Sequence, residues 1–452
     1  MGMRFFILMM LMTLCSWPLS GWCEEQTLPA HGEIIQQLQE SPEEPPYLLK
    51  VGVSGYLRGE GSNNFTYSLA GSGYTPDSGA GRLAYRIIPY LEWNPTAYLA
   101  ITLQGQGYGF TLGSPRESQY SLYQTYLELS PLPAKWISLK LGRQEFVYGS
   151  AFILGGNSFY NGLTFDAARL RITPLAELTL DLLGGSYAAP QSRYFRDSLV
   201  GAYLTYPLRE GSGIEAYYLR DQGPQLTHSG EQLESVGIRG TARFGPASLE
   251  IEPVYQSGRL ADSTGRVEKI DAWGGHLDVT MDAEIKGVRN TFSCGYAYGS
   301  GSRDAADGRS TRREFSNTTN NSSLIGDMGL FHDLSGVTTN DGIHASGLQI
   351  ATAGWGIDLL KNLNFTATGR SYRAAYTQAG MSRNLGVESD FILTWNMGDG
   401  TALILAYDHF FTGGFFREAT GSTSDMEYGY AMLQFNLFTG MKKPASPAKG
   451  NP

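Results

Sequence analysis

Charge, cysteine and long apolar runs are all scarce in this chain. Only 17% of its residues are charged and only three are cysteines. Cys15 and Cys23 fall inside an N-terminal targeting segment and Cys294 is left alone, which excludes a disulfide framework and a cysteine-built metal centre. The six histidines, at 31, 228, 276, 332, 344 and 409, make no metal-ligand spacing. No Gly-x-Ser-x-Gly elbow occurs. No clustered acid, base and nucleophile set marks an enzyme, so no catalytic residue, metal or cofactor is expected. "GSGSRDAADG" (299–308) resembles a calcium loop only loosely, because the terminal glutamate is missing where such a loop needs it. Beyond the N-terminus no stretch approaches the roughly 18 apolar residues of a spanning helix. That excludes a helical anchor, and the mean hydropathy is negative.

The N-terminus itself, "MGMRFFILMMLMTLCSWPLSGWC", combines Arg4, an apolar run and small residues near its end. This is the pattern of a secretory signal, with cleavage expected after Cys23. A lipoprotein would need a small residue before that cysteine, and Trp22 stands there. Loss of Arg4 takes the net charge from -9 to -10. An acidic chain argues against a nucleic acid partner but leaves room for a locally basic wall.

What the chain has in quantity is Gly (57), Tyr (27) and Phe (21). After a polar, Pro-bearing lead-in (24–46), one unit recurs: about ten residues that alternate apolar and polar, then a turn. Short connections at 92–97, 130–135, 173–177, 209–213, 244–247, 282–287, 359–363 and 396–400 alternate with longer Gly/Ser/Asn-rich stretches, the largest near 300–340. A two-residue period is strand periodicity. About 18 strands are expected, the first two near 48–58 and 81–93, the fifth near 135–147 and the last at 426–438. The rhythm predicts an all-β fold: a transmembrane antiparallel β-barrel over 47–438, in the bacterial outer membrane, with short periplasmic turns and long extracellular loops. The alternative, a secreted soluble β protein, would need over a dozen strands in stacked sheets without that rhythm. Tyr90, Trp93, Trp136, Tyr148 and Trp395 suit interfacial girdles. "TGMKKPASPAKGNP" (439–452) reads as a flexible tail.

In "LTFDAARLRIT" (163–173), Ala168, Leu170 and Ile172 alternate with Arg169, Arg171 and Thr173. If the apolar face meets lipid, the arginines face the lumen. The same alternation sends Arg58, Arg82, Arg86, Lys140, Arg239, Arg243, Arg289 and Arg370 inward. Inward acids fall mostly later: Asp181, Glu215, Glu250, Glu252, Asp278, Glu388, Asp390 and Asp408, with Glu128 the early exception. Arg143, in "LKLGRQEFVYG" (139–149), lands on the lipid parity. A bulge after Gly142 that turns it into the lumen is expected, the other outcome being a place at the interface. Arginine and lysine lining a wide barrel attract anions, and the planar guanidinium suits carboxylates. An anionic polysaccharide or a small anion is therefore the expected solute, and lumen arginines that merely pair with lumen acids are the structural alternative. Asp166 with Arg169 reads as an ion pair of the wall, not a catalytic pair.

"LKLGRQEFVYG" followed by "TFDAARLR" (164–171), with "VSGYLRGE" (53–60) before them, resembles the bacterial alginate-export outer-membrane porin family. The resemblance implies an 18-strand monomer that secretes a polyuronate through an arginine-rich constriction. By matching positions it carries over to Arg58, Lys140, Arg143, Arg169 and Arg171. Ala167 departs from the pattern where the family often has glycine, and 151–162, "AFILGGNSFYNG", is apolar where charge would be expected. Export implies an upstream synthase, a periplasmic scaffold and a lid or plug, for which the 300–340 loop is the candidate. Uptake of small anions or sugars on the same barrel is the alternative function.

Overall fold

The apolar alternates are the residues left open to the surroundings. Val51, Leu57, Ile87, Trp93, Leu103, Leu141, Leu182 and Phe391 are all between 37% and 46% exposed. Their polar strand neighbours are covered instead: Arg58, Arg86, Asp181 and Asp390 are at most 4% exposed. A fold with its oil outside and its charge inside is a membrane barrel, since lipid takes the apolar face and water the lumen.

The computed structural model describes residues 47–442, apart from 69–70, 113–116, 132–135, 157–161, 176, 189–196, 210, 224–231, 262–266, 304–310, 313, 316–321, 332 and 340–341. Eighteen antiparallel strands form the wall. They are β1 (Tyr47–Ser68), β2 (Gly71–Trp93), β3 (Leu99–Leu112), β4 (Glu117–Leu129), β5 (Ile137–Gln144), β6 (Phe165–Leu175), β7 (Leu178–Tyr187), β8 (Ser198–Arg209), β9 (Ser212–Gln222), β10 (Gln232–Phe244), β11 (Ala247–Ala261), β12 (Val267–Ile285), β13 (Val288–Gly299), β14 (His344–Leu360), β15 (Leu363–Tyr376), β16 (Asn384–Gly398), β17 (Thr401–Thr412) and β18 (Met426–Lys442). Each pairs with the next, and β18 pairs back onto β1 from Val51↔Thr439 to Asn63↔Glu427, which closes the barrel and leaves no sheet edge. Two short strands, Thr311–Arg312 and Gly336–Thr338, attach above β12 and β14. The short connections end in tight turns: Lys286 and Gly287 (φ 54° and 78°) and Asp399 and Gly400 (φ 49° and 73°) have positive φ at both positions, the geometry that suits the twist of a hairpin.

Several boundaries differ from the periodicity. The first hairpin is far longer than 48–58 and 81–93, reaching Ser68↔Gly71. Its upper half lacks the apolar alternates that reveal a strand, but its backbone groups still satisfy one another by pairing. β18 continues past Phe438 to Lys442, where Met441 pairs with Leu49. β5 stops at Gln144 instead of 147, because the chain there leaves the wall and turns inward. The expected signal peptide (1–23), the lead-in (24–46) and tail residues 443–452 lie outside the described residues. At the long-loop end, helix α1 (Gly414–Thr420) buries Phe415 and Phe416, the latter 5.3 Å from the ring of Tyr74.

Candidate functional site

The inward charges are not a uniform row. Arg58 and Arg82 both close on Glu60, an acid that the same alternation puts on the inner face but that the sequence reading left out. The Arg58 guanidinium also donates to the Tyr428 hydroxyl and lies 3.5 Å from the centre of the Tyr430 ring. Arg86 donates twice to Gln106 Oε1, at 2.9 and 2.7 Å. These three cations are built into the wall.

The next strands differ. Cross-strand register sets Glu128 beside Lys140, Lys140 beside Arg169, and Arg171 beside Asp181, so β4 to β7 bring three cations and two carboxylates onto one patch. Arg171 grips Asp181 through two hydrogen bonds of 2.8 and 2.9 Å. Lys140 is 3.7 Å from Glu128. Arg169 reaches only that same Glu128, at 3.9 Å, and its Nε is buried without a hydrogen-bond partner among the described residues. One positive charge is left over.

Farther round the wall the balance reverses. Arg239 bonds Glu215 at 2.7 Å and Glu250 at 2.8 Å, with Glu252 at 4.0 Å. Asp278 stands opposite Glu250 in the register. Arg370 pairs with Asp390, next to Glu388 and Asp408. Arg243 and Arg289 sit at the short-turn mouth, where Arg289 is 3.2 Å from Asp282 and Arg243 is exposed.

Arg143 is a correction. It forms a two-pronged pair with Asp166, at 2.7 and 2.8 Å, in register with Leu141 beside Ala168. That face looks outward, and Gly142, although at φ 121°, introduces no shift that would turn the side chain round. The location is tolerable. Asp166 lies nine residues from the short-turn end of β6, which at ~3.3 Å per residue and ~40° tilt is about 23 Å up, near the top of the apolar band. Tyr90 and Tyr148 are corrections of the opposite kind. Tyr90 turns inward onto Asn436 (3.0 Å), and Tyr148 turns inward onto Asp181 (2.8 Å).

Tyr148 belongs to the segment after β5, residues 145–156, which folds across the inner wall. Tyr148 stacks 4.3 Å from Tyr203, which stacks 5.3 Å from Tyr217. Burial, and the Asp181 carboxylate beside it, push the Tyr148 hydroxyl well above the ordinary tyrosine range, so it stays a donor. Gly149 (φ 57°) and Ala151 (φ 59°) turn Ser150 toward the wall, where its Oγ is 3.1 Å from Glu252 and 3.2 Å from His276. Phe152 packs edge-on to His276 at 4.9 Å. The apolar start of 151–162 is thereby explained: Phe152, Ile153 and Leu154 are buried inside the lumen rather than spread over an outer surface. Part of the expected lid behaves alike. The Ile325 carbonyl accepts from Tyr372 (2.8 Å), Asp327 accepts from Tyr430 (2.9 Å), and Phe331 stacks 4.6 Å from Tyr372.

The family model for alginate export matches residues 111–429, well over half of the sequence. The chain belongs to the alginate export family. Its barrel is similar to that of OccK11 (OpdR) from Pseudomonas aeruginosa (15% identity, TM-score 0.54, 86% of this chain and 96% of that one). It is also similar to a BenF-like porin from Pseudomonas fluorescens Pf-5 (12%, 0.57, 86% and 99%) and to OpdK from P. aeruginosa (11%, 0.57, 87% and 100%). At these identities the likeness shows the fold alone. No curated protein matches the sequence. This member of the alginate export family is an outer-membrane β-barrel porin. Its inner wall carries residues the linear reading missed. Glu60 was legible by parity; Ser150 and Asp327 carry no periodic signal, because they sit on segments that leave the wall.

Proposed function

We propose that this porin passes an anionic exopolysaccharide, an alginate-like polyuronate, outward by passive diffusion. The observation that supports this reading is the excess cation at Arg169, between Lys140 and Arg171, on a wall that elsewhere is matched or in acidic excess. A guanidinium without a carboxylate of its own can take one from a passing uronate, and its neighbours offer the next contact along the chain. The acidic stretch around Glu215, Glu250 and Glu252 repels the polymer and keeps it on the basic side. Synthesis and delivery fall to an upstream synthase and a periplasmic scaffold. The barrel acts as a monomer, with lipid around it.

Uptake of small anions is the second reading, favoured by the two segments packed inside the lumen: a small solute passes beside them, whereas a polymer must displace them. The deciding experiment is a planar-bilayer recording of purified protein under a salt gradient, with uronate oligomers added on the short-turn side. Anion selectivity with oligomer block, both weakened by Arg169→Ala and Arg171→Ala, supports export. Anion selectivity without block supports uptake. Cation selectivity refutes both.

A further inference from the structure

The inner wall on β11 and β12 holds a cluster whose carboxylates the transport reading uses only for their charge. Glu252 and His276 are direct cross-strand partners on β11 and β12, and Glu250 faces Asp278 one step away. One ligand-type atom from each of Glu250, Glu252 and His276 lies within 4.8 Å of the others. His276 Nε2 is 3.5 Å from Glu252 Oε2 and 3.8 Å from Glu250 Oε1. Its other nitrogen, Nδ1, is 2.6 Å from Asp278 Oδ2. Ser150 Oγ, from the inward segment, is 3.1 Å from Glu252 and 3.2 Å from the imidazole.

We infer that Glu250, Glu252 and His276 form a site for a divalent transition-metal ion of the zinc type, with Ser150 or a water as a further ligand. The geometry is that of a ligand set held ready. A metal-binding histidine has its far nitrogen bonded to a carboxylate, which fixes the ring and leaves the near nitrogen for the metal, and Asp278 stands in that place. An imidazole with two carboxylates selects zinc-type ions over calcium and magnesium, which take all-oxygen shells. Charge favours occupancy too. Glu215, Glu250, Glu252 and Asp278 share one arginine, Arg239, and one imidazole. Arg239 can keep Glu215 and one oxygen of Glu250 while the other oxygen turns to the ion. Phe152 shields one side, and the half-exposed Asp278 leaves a path from the lumen. Because Ser150 belongs to the segment folded across the lumen, the ion would tie that segment to the wall.

The spacing hides this site: 24 residues separate Glu252 from His276, and only the register of two strands joins them. The test uses purified full-length protein carrying Cys294→Ser, which removes an exposed thiol that could bind zinc, and titrates zinc alone by calorimetry after chelator treatment. One equivalent is expected to bind. His276→Ala and Glu252→Gln should abolish it, and Asp278→Asn should weaken it about 10- to 100-fold. Heat-modifiable mobility on gels reports whether each variant is folded. X-ray absorption of the zinc-loaded parent reads the shell with no ligand substituted: one imidazole with oxygen neighbours at about 2.0–2.1 Å is expected. No saturable zinc binding by the parent, parent-like binding by a folded His276→Ala protein, or an all-oxygen shell would overturn the assignment. None of these outcomes depends on which solute the barrel passes.

Discussion

Gly149→Val tests whether segment 145–156 is seated as described and whether it narrows the path. Gly149 has φ 57°, and a β-carbon there would lie 2.9 Å from Cδ of Arg239 and 3.0 Å from the Tyr203 hydroxyl. A non-glycine residue in the left-handed region costs about 1–2 kcal/mol. Arg239 and Tyr203 are both bonded to Glu215, so neither can step aside freely; pushing them off their rotamers adds ~1 kcal/mol. The total, about 2–3 kcal/mol, raises the ratio of detached to seated segment by about 30- to 150-fold, at 1.4 kcal/mol per decade. Single-channel recordings should show a larger mean conductance, with more open-state noise as the segment comes and goes. Gly245→Val is the control. It imposes similar backbone strain (φ 58°) in a short turn, with nothing within 4 Å of its β-carbon, and should leave the current alone. A folded Gly149→Val barrel with parental conductance and noise would refute the argument that this segment occludes the lumen.

The remaining predictions concern the charges. Arg169→Ala removes the excess cation; a unit charge ~8 Å from the permeating ion is worth about 0.5 kcal/mol at the dielectric of water and ~2 kcal/mol at an effective 20, so anion permeability in low salt should fall between about 2- and 30-fold and the anion-to-cation ratio should fall with it. An unchanged reversal potential would reduce the patch to wall chemistry. Asp166→Ala leaves Arg143 unpaired on the lipid face and should lower the urea midpoint for unfolding from vesicles, while the double change to leucine should match or exceed the parent; a stability loss in the double variant would place the pair elsewhere. Glu60→Gln removes the carboxylate that Arg58 and Arg82 share and should destabilise the barrel, read as a lower unfolding midpoint. A midpoint equal to the parent's would mean those arginines are satisfied without it.

The two-residue alternation determined the barrel by itself, down to eighteen strands with both ends on the short-turn side, because lipid outside and water inside impose opposite chemistry on successive residues. It also separated the face of Leu170 from the face of Arg171. Alternation speaks only for residues that stay in the wall, and only about face. It could not say that Glu60 meets two arginines while Arg169 has no carboxylate of its own, since partners are chosen by register between strands. Nor could it turn Arg143: parity put that side chain toward lipid, and only the tertiary structure supplied the Asp166 that makes the place tolerable. Segments 145–156 and 324–331 carry no period at all, because their apolar residues pack against the inner wall instead of alternating between two solvents. What crosses the lumen, and which of the wall's charges stay in excess, was decided by how distant strands and loops meet in space.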